Sequence, residues 1–119
     1  MTIITSNTII FTDSSQQTTA AQSIGIGQTW QDVTASRAAA TTYTNSFTKP
    51  IMVSIICGSN TSTTSCNARL SIDGSIVQYF NTDPDTTYLY VTLSAIIKPN
   101  SAYRIDVSNI PVSSWKELR

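Results

Sequence analysis

Apolar and polar residues alternate with a period of two along the second half of this chain, and do so only in fragments along the first. Cys66-Asn-Ala-Arg-Leu-Ser-Ile-Asp73 is the cleanest case. Cys66, Ala68, Leu70 and Ile72 point one way and Asn67, Arg69, Ser71 and Asp73 the other, as a half-buried strand requires. Thr87 to Lys98 repeats the pattern, with Leu89, Val91 and Leu93 opposing Tyr88, Tyr90 and Thr92. Ile51-Met-Val-Ser-Ile-Ile-Cys57 is almost continuously apolar and predicts a central strand buried on both faces. Ile76 to Phe80, Tyr103 to Val107 and Val112 to Leu118 predict three further strands. Between them stand turn signals: Asp73-Gly74, where Gly can take positive φ, the Pro-containing Asn81 to Thr86, and Pro99-Asn-Ser101. Gly58 to Ser65 is a polar loop, so the stretch from Ile51 to Ile72 reads as a hairpin around it.

Upstream the pattern weakens. Thr2 to Thr12 is β-branched and aromatic but alternates imperfectly, and Asp13 to Gln22 is polar and linker-like. Ile24 to Thr34 turns at its glycines and sets Trp30 loosely against Val33. Ser36 to Ala40 reads as an irregular connection, and Thr41 to Asn45 resumes strand chemistry. Residues 1–22 therefore form an N-terminal strand and polar linker, and residues 23–119 one domain. Short strands at roughly ten-residue spacing, with no helical periodicity, predict an all-β fold: an antiparallel β-sandwich, jelly-roll-like. The closing Trp115-Lys-Glu-Leu-Arg119 reads as an edge strand anchored by Trp115 and Leu118, its charges discouraging edge-to-edge association.

Composition sharpens the picture. Thr and Ser supply 36 of the 119 residues and histidine is absent. Thr suits a pleated, half-wet surface, and its hydroxyl both donates and accepts. Without histidine the usual general base and transition-metal ligand is missing. Seven basic and seven acidic residues cancel and are scattered singly. No basic stripe follows a phosphate backbone, so nucleic-acid binding is not expected. No apolar run approaches the ~20 residues that span a bilayer, so membrane insertion is not expected either. The start has neither a basic n-region nor a continuous apolar run, so it does not read as a signal peptide. Low charge leaves little protection against association and hints at an oligomer.

Candidate chemistry is sparse. Cys57 and Cys66 flank the polar loop and read either as a disulfide across the predicted hairpin or as two small buried hydrophobes. Two cysteines without histidine do not make a zinc site, and a cysteine nucleophile would lack its base. Asn81-Thr-Asp-Pro-Asp places oxygens at alternate positions but lacks the later Gly and Glu of a calcium loop, and reads as a turn. No cofactor is expected. The carboxylate pairs Asp83 with Asp85, or Asp32 with Asp73, are weak grounds for glycoside cleavage, and no catalysis is expected. Tyr88 and Tyr90 share a sheet face with Thr86 and Thr92. Such rings beside hydroxyls suit a sugar or a neighbouring subunit.

Several blocks together resemble a known family. Gly25-Ile-Gly-Gln-Thr-Trp-Gln-Asp-Val-Thr-Ala-Ser-Arg37, Thr42-Tyr-Thr-Asn45, Lys49-Pro-Ile-Met-Val-Ser-Ile55, Ala68-Arg-Leu-Ser-Ile-Asp-Gly74, Ala102-Tyr-Arg104 and Trp115-Lys-Glu-Leu-Arg119 resemble the distal, receptor-binding tip domain of tailed-bacteriophage tail fibres. The resemblance covers Gly25 to Arg119. It implies a β-sandwich tip, usually a homotrimer, on a virion component assembled in the host cytoplasm and released by lysis. The partner it implies is a bacterial cell-surface glycan or protein, bound without catalysis. A structural module that trimerises or caps a fibre and binds another phage tail protein is the alternative. Fibre tips normally end a long chain, whereas this sequence has its own Met only 24 residues upstream. The family carries no fixed receptor-binding motif. The expected contacts are therefore exposed loop residues on a rigid scaffold: Asn60, Thr61 and Ser62 in the long loop, and Asn81, Asp83 and Asp85 in the proline turn.

Overall fold

The computed structural model describes residues 3–4, 9–10, 12, 16–17, 23–58, 65–82 and 90–119. Three two-residue strands, β1 (Ile3–Ile4), β2 (Ile9–Ile10) and β3 (Gln16–Gln17), pair antiparallel in chain order. Next come β4 (Trp30–Asp32), a 3-10 turn (Thr34–Ser36), β5 (Tyr43–Thr44) and β6 (Ile51–Gly58). β7 (Asn67–Ile72), β8 (Ser75–Asn81), β9 (Tyr90–Ile97), β10 (Ala102–Ser108) and β11 (Val112–Leu118) complete the chain. Among the described residues there is no α-helix.

The strands form two antiparallel four-stranded sheets, β4-β11-β6-β9 and β5-β10-β7-β8. The pairing is nested: β4 with β11, β5 with β10, β6 with β9, and β7 with β8. Only the β7–β8 link stays within a sheet; every other connection from β4 onward joins one sheet to the other. This is the strand order of a jelly roll, a long hairpin rolled into two layers. Asp73 and Gly74 close β7–β8 with φ of 50° and 83°, the doubly positive backbone of a two-residue hairpin turn that Asp-Gly favours.

The sheets bury one face each against the other. Ile51, Val53, Ile55 and Cys57 of β6, with Leu93 and Ile97 of β9, face Ala68 and Leu70 of β7 and Ile105 of β10. Each buried Val, Leu or Ile among them contributes about 1.5–3 kcal/mol by leaving water. Trp115, fully buried, meets Tyr43 edge-on at 5.6 Å between ring centroids and Tyr103 at 6.4 Å. Asn45, 1 % exposed, ties the other end. Its amide donates to the carbonyls of Lys49 and Ile97, and its Oδ1 accepts from the Phe47 amide.

A buried charge lies among these rings. Glu117 is fully inaccessible. It accepts two hydrogen bonds of 3.0 Å from Arg37, one of 2.8 Å from the Tyr103 hydroxyl and one of 3.1 Å from Trp115 Nε1. The Arg37 guanidinium also lies 4.6 Å from the centre of the Tyr43 ring. The network locks the segment after β4 onto both sheets.

Three expectations are corrected. The Ile51–Ile72 hairpin does not form: β6 pairs with β11 and β9, and β7 with β10 and β8, so the polar loop joins two sheets. β6 finds its hydrogen-bonding neighbours in β9 and β11, distant in sequence, and faces β7 across the core instead of pairing with it. β6 is also buried on one face only, Met52, Ser54 and Ile56 being half-exposed on the outside. Finally, β11 is an interior strand between β4 and β6, not an edge. Its Glu117 points inward because Arg37 neutralises it there.

Candidate functional site

Burial of Ala68, Leu70, Tyr103 and Ile105 turns their neighbours outward. The outer face of β5-β10-β7-β8 is therefore set by Asn67, Arg69 and Ser71 of β7, and Arg104 and Asp106 of β10. Cross-strand register arranges it in three rows: Asn81–Asn67–Ser108, Tyr79–Arg69–Asp106 and Ile76–Ser71–Arg104. Side chains directly opposite each other stand about 4.5–5.5 Å apart at Cβ, so each row is a contiguous strip of functional groups.

Tyr79 is 61 % exposed and sits beside the exposed Arg69. Among the described residues no carboxylate lies within ion-pair distance of Arg69. Arg104 and Asp106, by contrast, pair at 2.9 Å, with Arg104 Nε also 3.0 and 3.1 Å from the two carboxylate oxygens. Asn67 Oδ1 is buried and, among the described residues, accepts no hydrogen bond. Next to this strip, a shallow depression of about 310 Å³ is lined by Thr42, Ser71, Gly74 and Arg104 among others. The face thus offers a ring, an exposed cation, a charge pair, hydroxyls and amides. These are the groups that stack on C–H faces and exchange hydrogen bonds with a polyhydroxylated ligand.

The loop residues expected to bind divide unevenly. Asn60, Thr61, Ser62, Asp83 and Asp85 lie outside the described residues. Asn81 is described: it is exposed, ends β8 and faces Asn67 across the ladder. The points where both loops leave the sandwich lie together. Gly58 pairs with Tyr90, and Thr82 donates to the Cys66 carbonyl at 2.9 Å while its hydroxyl accepts from the Cys66 amide. Tyr90 lies over Gly58, in the space a Cβ would occupy.

The cysteines belong to opposite sheets: Cys57 stands on β6, and Cys66 immediately precedes β7. Both are buried, and the structure holds them as thiols. Cys66 Sγ donates to the Asn109 carbonyl at 3.1 Å, and burial pushes the Cys57 thiol up to about 11. A thiol raised that far is a poor nucleophile at neutral pH. Asp32 and Asp73 are likewise committed. Asp32 accepts from the Thr34 hydroxyl and amide, and Asp73 from the Ala102 amide; these bonds hold both carboxyls below the ordinary range. A general acid for glycoside cleavage needs a raised value.

The residues that sequence reasoning missed are Arg69, Arg104 and Asp106. Their outward parity was legible, but their meeting depended on β7 pairing with β10. Comparison with protein-family models, with curated proteins and with solved structures finds no match to this chain.

Proposed function

We propose that this protein is a non-catalytic bacteriophage tail-fibre tip component that binds a host bacterial surface receptor, most simply a glycan, as a homotrimer. The carrying observation is the outer face of β5-β10-β7-β8, where the exposed Tyr79 and Arg69 stand between Asn81 and the Arg104–Asp106 pair. This open, flat strip suits a repeating surface polymer better than a substrate that must be enclosed. The sequence blocks from Gly25 to Arg119 support the fibre-tip reading. Each site would be individually weak, and three on one tip would raise the effective affinity through multivalency. Assembly in the host cytoplasm and incorporation into the virion follow from the same reading.

The test is binding of the labelled full-length protein to a panel of intact bacteria, before and after surface polysaccharide is stripped. Strain-selective binding, lost on stripping and reduced at least about tenfold by Tyr79→Ala or Arg69→Ala, is expected; stacked rings and charge-assisted bonds are each worth roughly 1–3 kcal/mol. Selective binding that both variants retain would place the receptor contact elsewhere.

The alternative, a structural module that caps a fibre and binds another tail protein, draws on the apolar residues exposed at the β8–β9 rim. Removal of residues 1–22 separates the two. A receptor binder should still bind cells, whereas an adaptor using that segment should lose its partner.

A further inference from the structure

At the end of the sandwich opposite Gly58 and Tyr90, the segment before β4 meets the loop before β6 and the end of β11. Gly27, Gln28, Phe47, Thr48, Lys49 and Arg119 line a pocket of about 230 Å³ there, all of them described residues. The Gln28 side chain ties its two loops together. Its Oε1 accepts from the Gly25 amide at 2.6 Å, and its Nε2 donates to the Pro50 carbonyl at 2.8 Å. Gly25 and Gly27 take positive φ of 91° and 67°, and the Ile26 carbonyl between them accepts from Lys49 Nζ at 2.7 Å. A Cβ on Gly27 would stand 3.4 Å from that ammonium, so the bare glycine leaves Lys49 its place.

The pocket carries more positive charge than its surroundings neutralise. Among the described residues, Glu117 is the one carboxylate within ion-pair distance of Lys49 or Arg119, with Oε1 3.7 Å from Arg119 Nη1. Glu117 is fully buried and already accepts from Arg37, Tyr103 and Trp115. Arg37 and Arg119 therefore share one negative side chain, and Lys49 has none. The main-chain oxygen of Arg119 is turned to Thr29, whose amide donates to it at 3.2 Å. The Arg119 side chain is 29 % exposed, and among the described residues it donates no hydrogen bond, since 3.7 Å is too long for one. Lys49 spends one of its three donors on Ile26. Phe47, 44 % exposed, adds an apolar wall, its ring centre 5.5 Å from the Arg119 guanidinium.

We propose that this pocket binds a small organic oxyanion, a carboxylate or phosphate on a ring-sized body. Lys49 and Arg119 hold the charge, and Phe47 packs on the body. The site is separate from the outer face of β5-β10-β7-β8 and does not depend on receptor binding there. A guanidinium short of water, with its donors unspent, gains most from an oxyanion that takes two of them at once. Lys49 supplies a point charge beside it, already held in place by Ile26. Space is sufficient, because a cavity of about 150 Å³ admits benzene.

The experiment titrates the isotope-labelled full chain with inorganic phosphate, benzoate and phenyl phosphate, following amide shifts by NMR. Saturating shifts centred on Gly27, Gln28, Phe47 and Lys49 are expected, tightest for phenyl phosphate, which brings both charge and ring. Saturation by benzoate as well supports a site for either oxyanion; saturation by the phosphates alone supports a phosphate site. Lys49→Gln and Arg119→Gln should each weaken phenyl phosphate at least about tenfold, the loss expected for a hydrogen bond to a charged group. Phe47→Ala should weaken phenyl phosphate and leave inorganic phosphate unchanged. Lys116→Gln, opposite Asp32 on the outer face of β11, should change nothing. Shifts that never saturate, that follow Lys116 as strongly as Lys49, or that survive in both charge variants would overturn the site. Should a variant fail to fold, the wild-type shift map decides alone.

Discussion

Glu117 carries a negative charge in an interior built mainly from aliphatic and aromatic side chains. Removing one partner of such a network strands the other, so Glu117→Ala should cost about 3–5 kcal/mol by leaving Arg37 uncompensated. Urea unfolding of Glu117→Ala, Arg37→Ala and the double variant measures this, and the double variant should cost less than the sum of the singles. The same neighbourhood predicts alkaline sensitivity. Burial first, then the hydrogen bond to Glu117, pushes the Tyr103 hydroxyl up to about 12 from an ordinary 10.0. Burial alone raises the Cys57 thiol from 9.0 to about 11. In both cases the folded state holds the proton more tightly than the unfolded chain. The stabilisation is therefore complete below the unfolded values and is lost as pH climbs through the folded ones. Stability should fall between about pH 9 and 12. Tyr103→Phe should remove the tyrosine part of that fall, at a cost of about 1.5–3 kcal/mol at neutral pH from the lost bond to a carboxylate.

Among the elements, the β7–β8 hairpin is the most locally determined. Its turn has Gly74 at φ 83°, so Gly74→Ala should lower stability by about 1 kcal/mol through backbone strain, read as a drop in thermal midpoint. Asp73 adds a second tie, accepting from the Ala102 amide at the start of β10. This hairpin was legible in the sequence because its turn chemistry and its alternation agree within a few residues. The strands near Ile51, Tyr103 and Val112 were equally legible from apolar parity. Their partners were not: a period of two records which side chains share a face, and carries no record of which distant strand lies alongside. β6 was thus read with the wrong neighbour, and β11 was read as an edge. The one inward charge in β11, Glu117, could be placed only once Arg37, eighty residues earlier, was known to face it.

Across the whole molecule, the two outer faces differ: one carries Tyr79, Arg69 and the Arg104–Asp106 pair, the other the cross-strand row Trp30–Leu118–Met52–Ile96. Arg69→Ala should therefore weaken cell binding and leave the solution mass unchanged, because it removes an exposed cation without touching the core. Light scattering run beside the cell-binding assay reads both outcomes. The all-β class, the strand positions from Ile51 onward, the Asp73-Gly74 turn and the outward parity of Asn67, Arg69 and Ser71 were determined by the sequence alone. Propensity, turn chemistry and the two-residue repeat act over a few neighbouring residues. The nested pairing, the burial of Glu117 and the assembly of Tyr79, Arg69 and Asp106 into one row were decided only by the tertiary structure. Each depends on strands far apart in the chain coming into register, and register between distant strands is chosen by the packing of the whole sandwich.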